Sequence, residues 1–168
     1  SYGAIKIINS RFGSIPEIWD QSYKRAQIAS KIAHAMHLAH RADEFFTGGL
    51  LADIGKIVLM SFDIEKAKKI EHLCRKRGVR LPVMEEIIMG LSSSKIGGKI
   101  AEIWEFPENL TYAIAYHQEP IMAKSHHEIV NAVHMADHLS KLESKDQLNL
   151  YIFDARIRNF FGINTPKK

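Results

Sequence analysis

Apolar and small residues recur every three or four positions along most of this chain, the spacing of one buried helix face. Ile18, Ser22, Ala26, Ala29, Ala33 and Met36 form such a stripe. Ahead of it, Ser14-Ile15-Pro16-Glu17 reads as a capping box with Pro in the first turn. A second helix is expected from a cap at Asp43 through Phe45, Leu50, Ile54 and Val58 to about Met60. Asp63 opens a third, whose inward residues are Ile64, Ala67, Ile70 and Cys74, and Gly78 stops it. Pro82 starts a fourth ending near Gly90, and Ser92 or Ser93 a fifth reaching Trp104. Pro107 begins a sixth before Tyr116. Ser125-His126-His127-Glu128 reads as a second capping box, for a helix through Val133 and Asp137 to Leu142. A last helix spans Asp146 to Asn159, followed by a polar tail. No segment sustains the period of two that strands require. The class is all-α, a compact multi-helix bundle. The domain is read as single over residues 1–168, with 1–15 the stub of a longer helical region and 143–168 a C-terminal helix and tail.

Glycines inside these helices need a reason, because each costs about 1 kcal/mol relative to Ala. Gly48, Gly49 and Gly55 fall in the second helix, Gly97 and Gly98 in the fifth. Close backbone approach between packed helices is the usual compensation. The two elements are expected to pack tightly.

Composition adds little to the fold but narrows the setting. The 168 residues are 46% hydrophobic and 25% charged, an ordinary globular balance. The single Cys74 cannot form an internal disulfide, which suits a reducing compartment. No run reaches the roughly 18 apolar residues of a membrane span, and no signal peptide opens the chain. A cytoplasmic protein with no membrane partner is the expectation. The net charge of +4 resides in residues 63–80, where seven basic residues oppose three acidic ones. Such a patch could draw phosphates or an acidic protein. The stripe of Ile64, Ala67, Ile70 and Cys74 instead makes it the solvated face of an amphipathic helix, and no aromatic residues interleave the charges. Nucleic acid is not the expected partner.

The remaining chemistry lies in a set of motifs in fixed order. These are Trp19-Asp20-Gln21-Ser22, then Phe46-Thr47-Gly48-Gly49-Leu50-Leu51-Ala52-Asp53-Ile54-Gly55-Lys56, then Gly90-Leu91-Ser92-Ser93-Ser94. Trp104-Glu105-Phe106-Pro107, Ala113-Ile114-Ala115-Tyr116-His117-Gln118 and Ala132 through Asp137 complete the series. From about Ile18 to Leu142 the chain resembles the HDOD family, the HD-related output domains of bacterial signalling proteins. That resemblance implies a degenerate relative of the HD-domain phosphohydrolases, whose helices hold a catalytic metal through His and Asp.

Carried across residue by residue, the ligand set is largely replaced. Ser22, Ala52, Ser93 and Gln118 stand where catalytic relatives carry His. Asp53, His117 and Asp137 remain, with Lys56 one turn beyond Asp53. Three such ligands could hold an ion weakly, with waters completing the shell. A plain ion pair of Asp53 with Lys56 on one helix surface satisfies the aspartate without one. The reading adopted has no metal, no cofactor and no catalytic residue, with Ser22, Asp53, Lys56, Ser93, His117, Gln118 and Asp137 as vestigial-site residues. Two carboxylates brought together without a metal need a cation, and protonated His117, Lys56 or both are the candidates.

The other histidines offer less. His134 and His138 share a face at i and i+4 but lack the zinc-protease Glu and a third ligand. His34, His37 and His40 walk round their helix, and His126 and His127 sit at a helix start. The functional expectation is a non-catalytic signalling output module acting through protein–protein contact. Its partners would be signalling proteins or fused regulatory domains, with a small molecule in the vestigial groove as a further ligand. The alternatives are a metal-dependent phosphohydrolase of nucleotides or cyclic dinucleotides, and weak nucleic-acid binding through 63–80.

Overall fold

The computed structural model describes residues 15–142 and 153–163, and every described regular element is helical. The predicted Ser14 cap and the start of the last predicted helix lie outside the described residues. The first helix, α1, is Ile15–Ala35. A 3-10 turn at Ala39–Arg41 leads to α2, Ala42–Leu51, and α3 is Ile54–Phe62. Then follow α4 (Ile64–Arg77), α5 (Leu81–Met89), α6 (Ser93–Ile103) and α7 (Glu108–Tyr116). A second 3-10 turn, Pro120–Met122, precedes α8, His127–Ser140, and α9 is Ala155–Phe160.

Most boundaries follow the local chemistry. The Asp63 carboxylate accepts from Lys66 N at 2.9 Å, and Gly78 closes α4 at φ 65°. Gly90 closes α5 at φ 83°, a left-handed conformation that favours glycine. Ser92 caps α6, and Pro107 sits just before α7. The inward face of α4 is Ala67, Ile70 and Cys74, while its lysines and arginines are exposed.

Four expectations need correction. The single helix from Asp43 to Met60 is two, because Ala52 and Asp53 form a turn between α2 and α3. Asp43 lies in the first turn of α2, and Arg41 takes the N-cap position. The Ser125–Glu128 box does not cap: His126 stands at the N-cap in a left-handed conformation, φ 54°, and makes no side-chain cap bond. Before α9, Phe153 and Asp154 are non-helical, and Asp154 supplies the cap by accepting from Arg156 N at 2.8 Å. A continuous helix to Asn159 therefore does not form.

The core joins α1, α2, α7 and α8 through Ala29, Ala33, Phe45, Ala113, Ile129, Val130 and Val133. A smaller cluster of Met135, Phe153 and Ile157 seats α9 on α8. Residues 39–62 pass for a membrane span by length and composition alone, with a mean hydropathy of 1.5. Here the break at 52–53 divides them, and Phe45, Leu59 and Met60 are buried in the bundle.

The glycines do bring helices together. A Cβ on Gly49 would lie 2.9 Å from Ala26 Cα, so α1 and α2 touch backbone to backbone. A Cβ on Gly55 would overlap the Ser93 carbonyl and the Gly97 nitrogen, locking α3 against α6. Those atoms are backbone and cannot rotate away. Gly55→Ala is therefore expected to destabilise the fold by about 3 kcal/mol, at the upper end of overpacking penalties. Gly78→Ala, where a Cβ meets nothing, should lose about 1 kcal/mol from its positive φ alone. Urea unfolding of the two variants side by side checks the ordering.

Candidate functional site

Packing α1 against α2 and α8 buries a basic residue among acidic ones. Arg25, one turn beyond Ser22 on α1, has a fully buried side chain. Its Nη1 donates to Asp53 Oδ2 at 2.7 Å and to Asp137 Oδ1 at 2.8 Å. Nε donates to the Gly49 carbonyl at 2.7 Å, and Nη2 to Ser22 Oγ at 3.2 Å. One guanidinium thus ties together α1, the end of α2, the α2–α3 turn and α8. Close approach at Gly49 is what brings that carbonyl within reach.

Asp53 supports the arrangement by where it sits. It holds the N-cap position of α3, yet its side chain makes no cap bond and turns to Arg25 instead. The reading of Asp53 as mid-helix is corrected accordingly. Asp137, near the end of α8, also accepts from Lys141 Nζ at 2.5 Å.

The electrostatics follow from burial offset by these partners. Burial works against the charge on Arg25, but Asp53 and Asp137 more than offset it and raise its pKa. Burial alone would raise the Asp53 carboxyl. Arg25, with His117 and Lys56 behind it, holds that carboxyl well below the ordinary carboxylate range. For Asp137, burial and the charge of Asp53 are outweighed by Lys141 and Arg25, leaving its pKa at about 2. All three groups are ionised at neutral pH.

His117 is 2% exposed and lies beside this cluster. Its Nδ1 faces the Ile114 carbonyl at 3.1 Å, so that nitrogen carries the proton. Nε2 stands 3.8 Å from Asp53 Oδ1, too far for a hydrogen bond, and has no partner among the described residues. The His117 carbonyl accepts from His134 Nδ1 at 2.7 Å.

Of the seven vestigial positions, Ser22, Asp53, His117 and Asp137 converge. Lys56 does not pair with Asp53 on a helix surface; it pairs with Glu71 of α4, and Asp53 acts on it only through space. Ser93 is drawn to Glu85, whose carboxylate accepts from its N at 2.7 Å and from its Oγ at 2.9 Å. Burial raises the Glu85 carboxyl, and those two bonds only partly offset it. Gln118 is half-buried, makes no bond to the cluster among the described residues, and its Oε1 lacks a partner among them.

The cation between the carboxylates is therefore neither His117 nor Lys56 but Arg25. Its sequence signal was slight: a basic residue three positions after Ser22, next to the small-residue stripe. The atom at the point shared by Asp53 and Asp137 is a guanidinium nitrogen, which donates and cannot ligate. Among the described residues no group of three His, Cys, Asp or Glu side chains is placed to hold a metal ion. The residues present do not fit the metal of the HD phosphohydrolases.

Comparison with known proteins identifies the family. The HDOD domain model matches residues 4–120. This chain belongs to the HDOD family. Among solved structures, this HDOD chain is similar to a Shewanella amazonensis protein provisionally named a phosphohydrolase, with a TM-score of 0.67 and 22% identity over 88% of this chain and 54% of that one. It is also similar to an HDOD domain protein of unknown function from Geobacter sulfurreducens, with a TM-score of 0.64 and 24% identity over 73% and 41% of the two chains. An uncharacterized Treponema pallidum protein is 23% identical over 82% of this chain, but only 27% of its own length is covered. At these identities the likeness is one of fold. The HDOD chain spans between a quarter and about half the length of these relatives.

Proposed function

We propose that this HDOD domain is a non-catalytic output module of bacterial signalling, cytoplasmic, working through contact with signalling proteins or with regulatory domains of a longer polypeptide. The observation that carries the reading is Arg25 Nη1 between Asp53 and Asp137. Metal-dependent hydrolysis needs an ion with open positions to polarise phosphate and activate water. In this chain a tethered guanidinium holds both surviving carboxylates, and Ala52 supplies no donor atom.

Large apolar side chains left in solvent support a role in protein contact. Phe62, Ile87, Ile103 and Trp104 are between 59 and 78% exposed. The α4 lysines and arginines form a solvated face, for which only weak, salt-sensitive retention of nucleic acid is expected.

The test has two arms. Elemental analysis of protein purified without chelator should find no stoichiometric Mn, Fe, Zn, Mg or Ni. Assays with nucleoside phosphates and cyclic dinucleotides, with and without Mn, should show no turnover. One ion per chain that is lost on Asp53→Ala, or turnover abolished by Asp137→Ala, would restore the phosphohydrolase reading.

A further inference from the structure

On α8, six residues before Asp137, Asn131 is largely buried and its side chain opens to a cavity. Its relative exposure is 8%, and no other described side chain or backbone group holds its amide, which lines the cavity instead. Asn131 lines a cavity of about 270 Å³ between the second 3-10 turn, α8 and α9. Ile121, Ile157 and Phe160 form apolar walls. His127 and Arg156 also line it, and none of its described lining residues is acidic.

The position of Arg156 is not arbitrary. Its Nε donates to Asp154 Oδ1 at 3.1 Å, the same oxygen that caps α9. That bond orients the guanidinium and leaves both Nη groups available. The cavity therefore presents an amide, an imidazole and a guanidinium beside apolar walls. The volume lies just under the range typical of drug-sized ligands, which suits a fragment of about ten heavy atoms.

We propose that this cavity is a binding site for an apolar group ending in a carboxylate, with Asn131 and Arg156 holding the head and Ile121, Ile157 and Phe160 the body. Such a group occurs as a small free acid or as the C-terminal residue of a peptide. The carboxylate chemistry is common to both. The site is separate from the Arg25 cluster and does not depend on the reading given to it.

The test is two-dimensional NMR of the chain titrated with phenylacetate, with 2-phenylethanol as the uncharged match. Phenylacetate is expected to shift the Asn131 side-chain amide and the backbone of α9, with a dissociation constant on the order of 1 mM, as ten heavy atoms permit. The alcohol should bind about tenfold more weakly. Arg156→Gln, a change at an exposed side chain, should abolish that preference while the fold stays intact by its spectrum. A tripeptide ending in Leu-Phe, as free acid and as amide, separates the sources. Tighter binding of the free acid than of phenylacetate assigns a chain terminus, and the reverse assigns a small acid. Equal binding of phenylacetate and the alcohol, shifts confined to other surfaces, or no shift at 20-fold the expected constant would overturn the proposal.

Discussion

Arg25→Met is expected to destabilise the fold by about 3–5 kcal/mol, the usual consequence of removing one partner from a buried charge cluster. Methionine matches much of the aliphatic stem but leaves Asp53 and Asp137 facing each other. Lys141 then remains as the cation bonded to Asp137, while Asp53 keeps Lys56 through space. The Gly49 carbonyl and Ser22 hydroxyl lose their donors as well. For a domain of this size the loss corresponds to a fall in Tm of roughly 10 °C. Adding Asp53→Asn and Asp137→Asn to Arg25→Met should recover most of it, because an uncharged cluster has no buried repulsion to relieve. Arg25→Lys should fall between, since an ammonium lacks the planar fork that reaches four acceptors. Thermal unfolding of the three variants decides the matter. If Arg25→Met unfolds within about 1 kcal/mol of wild type, the guanidinium does not hold these helices together.

The second large effect is loss of stability on acidification, traced to His134. Burial, with His138 beside it, lowers its pKa from 6.5 to about 4. The folded state therefore binds fewer protons than the unfolded state between those values. Its contribution is intact above about pH 6.5 and is lost as the pH falls through 4, with a ceiling of about 3 kcal/mol. Asp137, at about 2 when folded, adds a further loss below about pH 4. His134→Gln can still donate to the His117 carbonyl but does not titrate. Urea unfolding from pH 7 to pH 4 should thus show wild type losing about 2–3 kcal/mol more than His134→Gln. Parallel curves for the two proteins would show that His134 is not the group responsible.

What the sequence made legible was local. Asp63, Gly78, Gly90, Ser92 and Pro107 act within one turn of themselves, and each marks a boundary that the structure keeps. The glycine contacts were legible in kind, since only close packing compensates Gly55 and Gly97. The break after Leu51 was hidden because the apolar period runs through it and no Gly or Pro stands at the turn. It depends on Asp53 turning its carboxylate to a residue 28 positions away. Arg25 was hidden for the same reason. An arginine on an alanine-rich helix reads as exposed until partners 28 and 112 residues distant are in place. A need for positive charge between two aspartates could be argued from the sequence, but its source could not.

A metal ion is a component with its own concentration, and a centre built on one is filled or empty as supply dictates. The guanidinium that joins Asp53 to Asp137 is synthesised with the polypeptide, always in one-to-one ratio and never in exchange with the solvent. Chelators have nothing to withdraw from it, and scarcity of an ion in the cell leaves it unchanged. The junction of these helices is thereby insulated from metal homeostasis, and its charge balance varies with pH or with the codons for residues 25, 53 and 137.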